Sequence, residues 1–465
     1  GGSEYITIDS CTVSVNQGST SSAFTALAVS SSSTSSTTSG LGGQNLTVTN
    51  STFEGGYYCV TFPGPSTGTP AVNNVFENNI VRDFVYYGIY MSYQQNGLFK
   101  GNDISRPNRQ TAFSFYGIYG FGTFYGTEVT GNALHNVFDQ NPTYTGTVYA
   151  IYFSSAVGGG GQGPFVISNN LIYNVNMDGT QYGMYFPGTS DSMLVYHNTV
   201  SLDNTNATGS STIRGIYFTS SSSTTDVEIM NNIVHIAEGG TGTKHGIYLS
   251  STTPNYTSNY NQYSIVSTSG ANYAAYMAGG NRTTIADIQN NSTFETNGTQ
   301  GDPLFVNPAS GDLTPTANVG NNNAAPVSAI VPVDFYGVTR PANSADRGAI
   351  EFSPLFCLQP YNIIYDTVTT SSVYLQWTND AAADSVKIEW VPCGGTQGTG
   401  GVAYVADSSF TVTGLMDNQC YDFYFTSYCS GTIGNGTALL GGITTKCLPV
   451  SMPYVEPFTT WVPSC

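Results

Sequence analysis

Six charged side chains fall close together in an otherwise charge-poor sequence: Arg82, Asp83, Lys100, Asp103, Arg106 and Arg109. Cleaving an acidic polysaccharide by elimination needs a lysine or arginine base and further cations to hold the uronate carboxylate. No other part of the first 280 residues offers that supply, since the remaining basic residues there are Lys244 and Arg214. Counted from Asn79 and Asn102, Asp83 and Arg106 stand at the same offset, so a lateral salt bridge between neighbouring turns of chain explains them without catalysis. A second set has different chemistry. Tyr90, Tyr119, Tyr152, Tyr185, Tyr217, Tyr248 and Tyr276 recur in the strings YYGIYM, FYGIYG, VYAIYF, QYGMYF, IRGIYF, KHGIYL and NYAAYM. Aligned on one face, they would offer aromatic surface to the apolar sides of sugar rings. The structural alternative is that they stack only on one another. Arg214 and His245 fall one place before the small residue of their strings and read as polar breaks at a corner.

Other chemistries find less support. No phosphate-cradling loop, Ser-His-Asp frame or metal-ligand spacing is present, and no Asp-rich loop supports calcium. We therefore expect no catalytic residue, no metal and no cofactor. Cysteine is unevenly used: only Cys11 and Cys59 precede residue 357, whereas Cys357, Cys393, Cys420, Cys429, Cys447 and Cys465 follow. That cluster contains no C-x-x-C pair and its region holds no histidine, which favours disulfides over zinc and an oxidising, extracytoplasmic setting.

The elements that carry these residues can be read from composition and period. Charged residues make up 9% of the chain, against about 25% in ordinary soluble domains, and the formal net charge is −18. Such a surface repels phosphate backbones, so nucleic acid is not an expected partner. No apolar run is long enough to span a membrane. The opening GGSEYITIDS has neither Met nor the pattern of a leader, and reads as the inside of a processed or longer chain. Gly, Tyr, Ser, Thr and Asn dominate and long amphipathic helices are missing, so the class is all-β.

A repeat organises the first 280 residues. The small residue of the tyrosine strings is Ala26, Cys59, Gly88, Gly117, Ala150, Gly183, Gly215, Gly246 and Ala274, at spacings of 28 to 33. An asparagine precedes each later copy: Asn50, Asn79, Asn102, Asn132, Asn170, Asn198, Asn232 and Asn261. Propeller blades need about 40–45 residues. A period of about 31 with short strands suits one coil of a parallel β-helix, with the asparagines stacked as an amide ladder. About nine coils would make a rod on the order of 40 Å long. By alternation, the column Leu27, Val60, Ile89, Ile118, Ile151, Met184, Ile216, Ile247 and Ala275 points inward. The next column points out, and reads Ala28, Thr61 and then the seven tyrosines, with the small residues beside them on the same face.

Residues 284–352 contain TIADIQ (284–289), DPLFV (302–306), GDL (311–313), VDFYGVTR (333–340) and DRGAIEF (346–352). This series resembles the closing segment of secreted bacterial right-handed parallel β-helix proteins. The resemblance implies a right-handed β-helix over 1–283 and a C-terminal cap over 284–356, in which Asp334, Arg340, Asp346 and Glu351 satisfy one another or the cap backbone. Pectin hydrolases of that fold carry Asn-Thr-Asp, Asp-Asp, Gly-His-Gly and Arg-x-Lys signatures, which this sequence lacks.

Residues 357–447 resemble a fibronectin type III module such as occurs in surface proteins of Bacteroidetes. VYLQW (373–377) would be strand B with Trp377 in the core, VKIEWV (386–391) strand C, and SSFTVTGL (408–415) strand E. Leu415 stands six residues before Tyr421, the spacing of a tyrosine corner opening strand F. The module's topology implies the pairs Cys393–Cys420 and Cys357–Cys429, leaving Cys447–Cys465; this is one of 15 connectivities. Residues 448–465 look like the start of a further, truncated module. The combined resemblance implies a secreted, adhesin-like cell-surface protein of gliding or related bacteria, exported by the type IX machinery. Its partners would be further modules of the same chain and extracellular polysaccharides or surface glycans. Asp191-Ser192-Met193, Asp366-Thr367-Val368 and Asp384-Ser385-Val386 resemble O-glycosylation triplets, with Ser192, Thr367 and Ser385 as acceptors. The alternative function is a polysaccharide lyase or hydrolase, or the carbohydrate-binding module of an extracellular enzyme.

Overall fold

The computed structural model describes residues 2–111, 113–220, 224–251, 256–316, 321–352, 358–379, 383–429, 432–434 and 436–449. The chain divides into two units, residues 1–353 and 354–465. The first is a parallel β-helix with three faces. Nine parallel strands, from Thr25–Ala28 to Asn272–Met277, stack as the tyrosine face. A middle face runs from Thr7–Asp9 to Tyr256–Asn259. A third runs from Thr12–Ser14 to Thr299–Gln300 in ten parallel strands. Each strand pairs with its counterpart one coil away, which is why the sequence period becomes a spatial one.

The core is filled by columns of like residues. Val60, Ile89, Ile118, Ile151, Met184, Ile216 and Ile247 are fully buried, as expected, and Phe76, Phe99, Val129 and Ile167 from the middle face meet Phe53, Val81, Ile104 and Leu134 from the third. Between the middle and third faces the chain turns at the predicted asparagines. Asn79, Asn102, Asn132, Asn170, Asn198 and Asn232 each accept, at Oδ1, a bond from the backbone N–H of the residue one coil earlier. From Asn79 to Asn232 each side-chain amide donates to the next asparagine Oδ1 at 2.9–3.2 Å. The same amide also donates to a backbone carbonyl, such as Val129 O from Asn170 at 3.0 Å.

Asn50 is not a rung of this ladder. The register pairs Ile80 with Thr52, so Ser51 occupies the position, and its N–H donates to Asn79 Oδ1. At the other end the acceptor is Glu295, which receives the Asn261 amide at 2.8 Å and the Tyr263 hydroxyl at 2.9 Å. Every rung passes its donors in one direction, so the last partner need only accept. A carboxylate meets that requirement, although burial pushes Glu295 above the usual carboxyl range.

The end is closed in two ways. The strand Asn272–Met277 turns back antiparallel with Gly280–Arg282, which ends parallel stacking on that face. A short helix, α1 (Ile285–Asn291), is capped by Thr284 Oγ1 accepting from Asp287 N–H and sets Ile288 into the core. The rest of the expected cap does something else: residues 321–352 fold back as a strap along the β-helix. Asn169 Nδ2 donates to Val333 O, Asn231 Nδ2 to Pro326 O, and Ala349 N to Thr199 Oγ1. Arg340 is buried within the strap, ion-paired with Glu351 and donating to Asn169 Oδ1 at 2.8 Å. Asp334 and Asp346 accept from strap N–H groups. The four charges thus satisfy one another and the backbone, as the sequence suggests.

The second unit is a fibronectin type III-like β-sandwich. Antiparallel strands Tyr361–Val368, Ser372–Thr378 and Ser409–Thr413 form one sheet; Gly401–Val405, Ser385–Pro392, Cys420–Cys429 and Ala438–Thr444 belong to the other. Trp377 is in the core, and the Tyr421 hydroxyl accepts from Met416 N at 3.1 Å, completing the tyrosine corner. Cys393 and Cys420 form the expected disulfide, with Cα atoms 5.3 Å apart. Cys429 and Cys447 are each disulfide-bonded, and the expected pairs Cys357–Cys429 and Cys447–Cys465 rest on Cys357 and Cys465, which lie outside the described residues together with the rest of 450–465.

Candidate functional site

The tyrosine face departs from the sequence expectation in one respect that doubles its width. Strict alternation would put Gly88 and Tyr90 on the same side. Instead the ladder pairs Tyr87 with Tyr116 and Ile89 with Ile118, and Gly88 is passed over. A Cβ at Gly88 would lie 2.5 Å from Gly117 O and 2.9 Å from the Phe84 ring, so the small residue faces inward. Two consecutive residues, small then apolar, therefore point into the core, and the residues on both sides of them point out. Bare backbone does not lie beside the tyrosines. A second column does: Tyr58, Tyr87, Tyr116, Tyr149 and Tyr182, continued by Arg214, His245 and Tyr273.

The rings form a herringbone. Tyr58, Tyr87, Tyr116 and Tyr149 stack in sequence with centroids 4.5–5.0 Å apart. In the predicted column Tyr90, Tyr119 and Tyr152 stack at 5.0–5.1 Å, Tyr185 and Tyr217 at 4.5 Å, and Tyr248 and Tyr276 at 4.4 Å. Edge-to-face contacts tie the columns together, as between Tyr116 and Tyr119 at 5.5 Å. Such pairs each add about 0.5–1.5 kcal/mol beyond the area they bury. All seven predicted tyrosines are half-buried. Their faces are largely spent on neighbours, which leaves edges and hydroxyls outward. Burial pushes the Tyr152 and Tyr182 phenols up to about 12, so they stay neutral donors at any physiological pH.

Arg214 takes the place of a ring in the second column. Its guanidinium lies 4.0 Å from the Tyr217 centroid and 3.8 Å from that of Tyr248, a cation–π sandwich. His245 stacks on Tyr273 at 5.2 Å and meets Asn281 Oδ1 through Nε2 at 2.9 Å; burial pulls it down to about 4. Both fit the reading as polar interruptions of an aromatic column.

The charged cluster comes apart into structural contacts. Arg82 pairs with Glu54, Lys100 with Glu77 at 3.1 Å, and Asp103 with His135 at 3.2 Å. Asp83 and Arg106 do not bridge laterally. Arg106 is buried, donates to Val85 O and Phe113 O, and lies 4.1 Å from the Phe138 centroid. Asp83 sits at a turn with φ 55° and accepts from Asn108 N and Nδ2. The β-bulge between Ser105 and Arg106 turns the arginine away from the aspartate. The group does not converge on a common point where a substrate could sit.

One buried acid was not legible in the sequence. Glu238 is 2% exposed, accepts from Gln181 Nε2 at 2.7 Å and Asn204 N at 3.0 Å, and burial pushes it up to about 8. A folded pKa raised from 4.5 means that its contribution to stability is present in full below pH 4.5 and is lost as pH rises through about 8. The expected loss is on the order of 4 kcal/mol. Urea midpoints measured from pH 4.5 to 9 should fall, and the Glu238→Gln variant should flatten the curve.

The expected acceptors of the three triplets lie on strands: Ser192 is half-buried, Thr367 exposed and Ser385 half-buried. Cys11 is an exposed free thiol and Cys59 a buried one.

Residues 4–234 match the family model described as "Periplasmic copper-binding protein (NosD)", a stretch that coincides with β-helix coils. No curated protein matches the chain. Among solved structures, the chain is similar to the fn3 domain of human collagen alpha-1(XX) chain, at 17% identity and TM-score 0.20, covering 22% of this chain and 98% of that one. The fn3 domain of human contactin 1 matches at 15% identity and TM-score 0.19, covering 21% and 83%. The described His, Cys, Asp and Glu side chains do not fit a copper centre. Among the described residues no three His, Cys, Asp or Glu side chains come together as a metal-ligand group. His135 is engaged by Asp103, His197 by Asn231 and His245 by Asn281.

Proposed function

We propose that this chain is a stretch of a secreted, adhesin-like cell-surface protein, in which the β-helix is a rigid rod that turns its tyrosine face toward extracellular glycans. The observation that carries this reading is the double column of half-buried tyrosines along one face, which sets a row of phenol hydroxyls and ring edges on a stiff lattice. The low charge, the disulfide-bonded sandwich and the periplasmic character named for the matched family all favour an extracytoplasmic location. Export by the type IX machinery, links to further modules and glycans at Ser192, Thr367 and Ser385 belong to the same reading.

The test is a glycan array and polysaccharide pull-down with the 465-residue protein, in which products are assayed as well. Changing Tyr119, Tyr152 and Tyr185 together to Phe removes hydroxyls but keeps the stack; changing them to Ala removes both. Binding weakened at least tenfold in the Phe variant, without cleavage, supports recognition through hydroxyls. Binding indifferent to both variants overturns it. Release of unsaturated oligosaccharides would establish the lyase alternative.

A further inference from the structure

Both tyrosine columns stop at the same corner. In register, Thr25 lies one coil before Tyr58, and Ala28 and Thr61 lie in the two coils before Tyr90. Where later coils place rings, this corner has a methyl group and two hydroxyls. A cavity of about 470 Å³ remains there, within the roughly 300–1,000 Å³ usual for small-molecule sites. Tyr58 stacks on Tyr87 with one face, at 5.0 Å and 9°, and the next coil supplies no ring for its other face.

The loop 30–39, SSSSTSSTTS, roofs this gap. It is braced from within, Ser30 Oγ donating to Ser35 O and Ser31 Oγ to Ser39 O at 3.0 Å, and from below, Thr61 Oγ1 donating to Ser36 O at 2.7 Å. The hydroxyls of Ser33, Ser35 and Thr37, which line the cavity, make no hydrogen bond among the described residues. Thr25 Oγ1 is buried without a partner. No charged side chain lines the cavity.

We propose that this corner binds one neutral pyranose residue, seated on Tyr58 in the place of the missing ring. A pyranose has an apolar C–H face that matches the open face of Tyr58 and the Ala28 methyl. Its hydroxyls both donate and accept, as do the serine and threonine hydroxyls around them. An anionic sugar would meet no cation here and would approach a chain of net charge −18. The inference deepens the glycan reading above and rests on it, adding the class of sugar and a terminal subsite.

The test uses the 465-residue protein with the methyl glycosides of glucose, galactose and mannose, and methyl glucuronide as the anionic comparison, followed by ligand-observed NMR. The key variant is Ala28→Tyr, which puts into the cavity the residue found at that place in seven later coils and so fills the gap without removing a contact. Tyr58→Ala is the second. At least one neutral glycoside should bind, with affinity at least tenfold weaker in both variants, and the glucuronide should not compete. Equal binding by Ala28→Tyr, preference for the glucuronide, or no binding of any glycoside overturns the inference. If Ala28→Tyr keeps polysaccharide binding that the Tyr119, Tyr152, Tyr185 variants lose, the subsite fails and the broader reading stands. If only the Ala28→Tyr and Tyr58→Ala variants lose sugar, the subsite stands and the long tyrosine face is structural.

Discussion

Replacing Asn170 by alanine is expected to destabilise the β-helix by about 4 kcal/mol. The substitution strands three groups in the interior. The Asn132 N–H and its side-chain amide lose their shared acceptor, Asn170 Oδ1, and Val129 O loses the Asn170 amide. Asn132 and Asn170 are fully buried, so water cannot replace what is lost. Each unsatisfied buried polar group costs about 1–3 kcal/mol. The urea midpoint should fall sharply with an unchanged slope. Asn50→Gly is the informative contrast. Asn50 is exposed at φ 49°, a conformation glycine adopts without strain, and it lies outside the ladder; its replacement should cost less than about 1 kcal/mol.

Arg340→Met should cost about 3–5 kcal/mol, because it breaks a buried ion pair from one side. Glu351 would keep its burial and lose its cation, and Asn169 Oδ1 would lose its bond to the guanidinium. The damage should be local. Amide exchange over 333–352 should accelerate by orders of magnitude while the asparagine ladder stays protected. Changing Glu351 to Leu in the same chain should restore much of the loss, since no orphaned charge then remains. If ladder amides exchange as fast as those of the strap, the two fold as one unit and the strap is not a separable element.

The β-helix was legible because its signal is repeated nine times over. A column such as Ile89, Ile118, Ile151 and Ile216 states both the period and the inward direction. The type III-like module was legible for another reason, since Trp377, Leu415 and Tyr421 fall at spacings that one topology uses. What could not be read were contacts made between coils by residues that occur once. Glu295 ends the amide ladder from a segment, NSTFETNG, that has no place in the repeat. Arg106 looks like Asp83's partner by offset, but a local bulge redirects it. The second tyrosine column was visible as letters; only the inward kink at Gly88 turns Tyr87 and Tyr90 to the same side. Period-two alternation fails there because the residue between Tyr87 and Ile89 is small enough to turn inward beside its apolar neighbour, as Cys59 and Ala150 do at the same place in other coils.

The strap at 321–352 works as a ruler. It is pinned at Asn169, Thr199 and Asn231, which lie in three successive coils, so the distance it spans is fixed by the number of coils beneath it. A coil inserted between Asn169 and Asn231 would move its anchor points apart by a strand spacing of about 4.8 Å and tear it from one of them. A coil inserted between Arg109 and Asn132 would leave all three anchors of the strap where they are, and would also spare the bonds by which Arg109 reaches back to the Gln17 and Ser19 carbonyls. Changes in the length of rods built on this plan should therefore collect on the N-terminal side of the strap, where a whole repeat can be gained or lost while the closed end keeps its form.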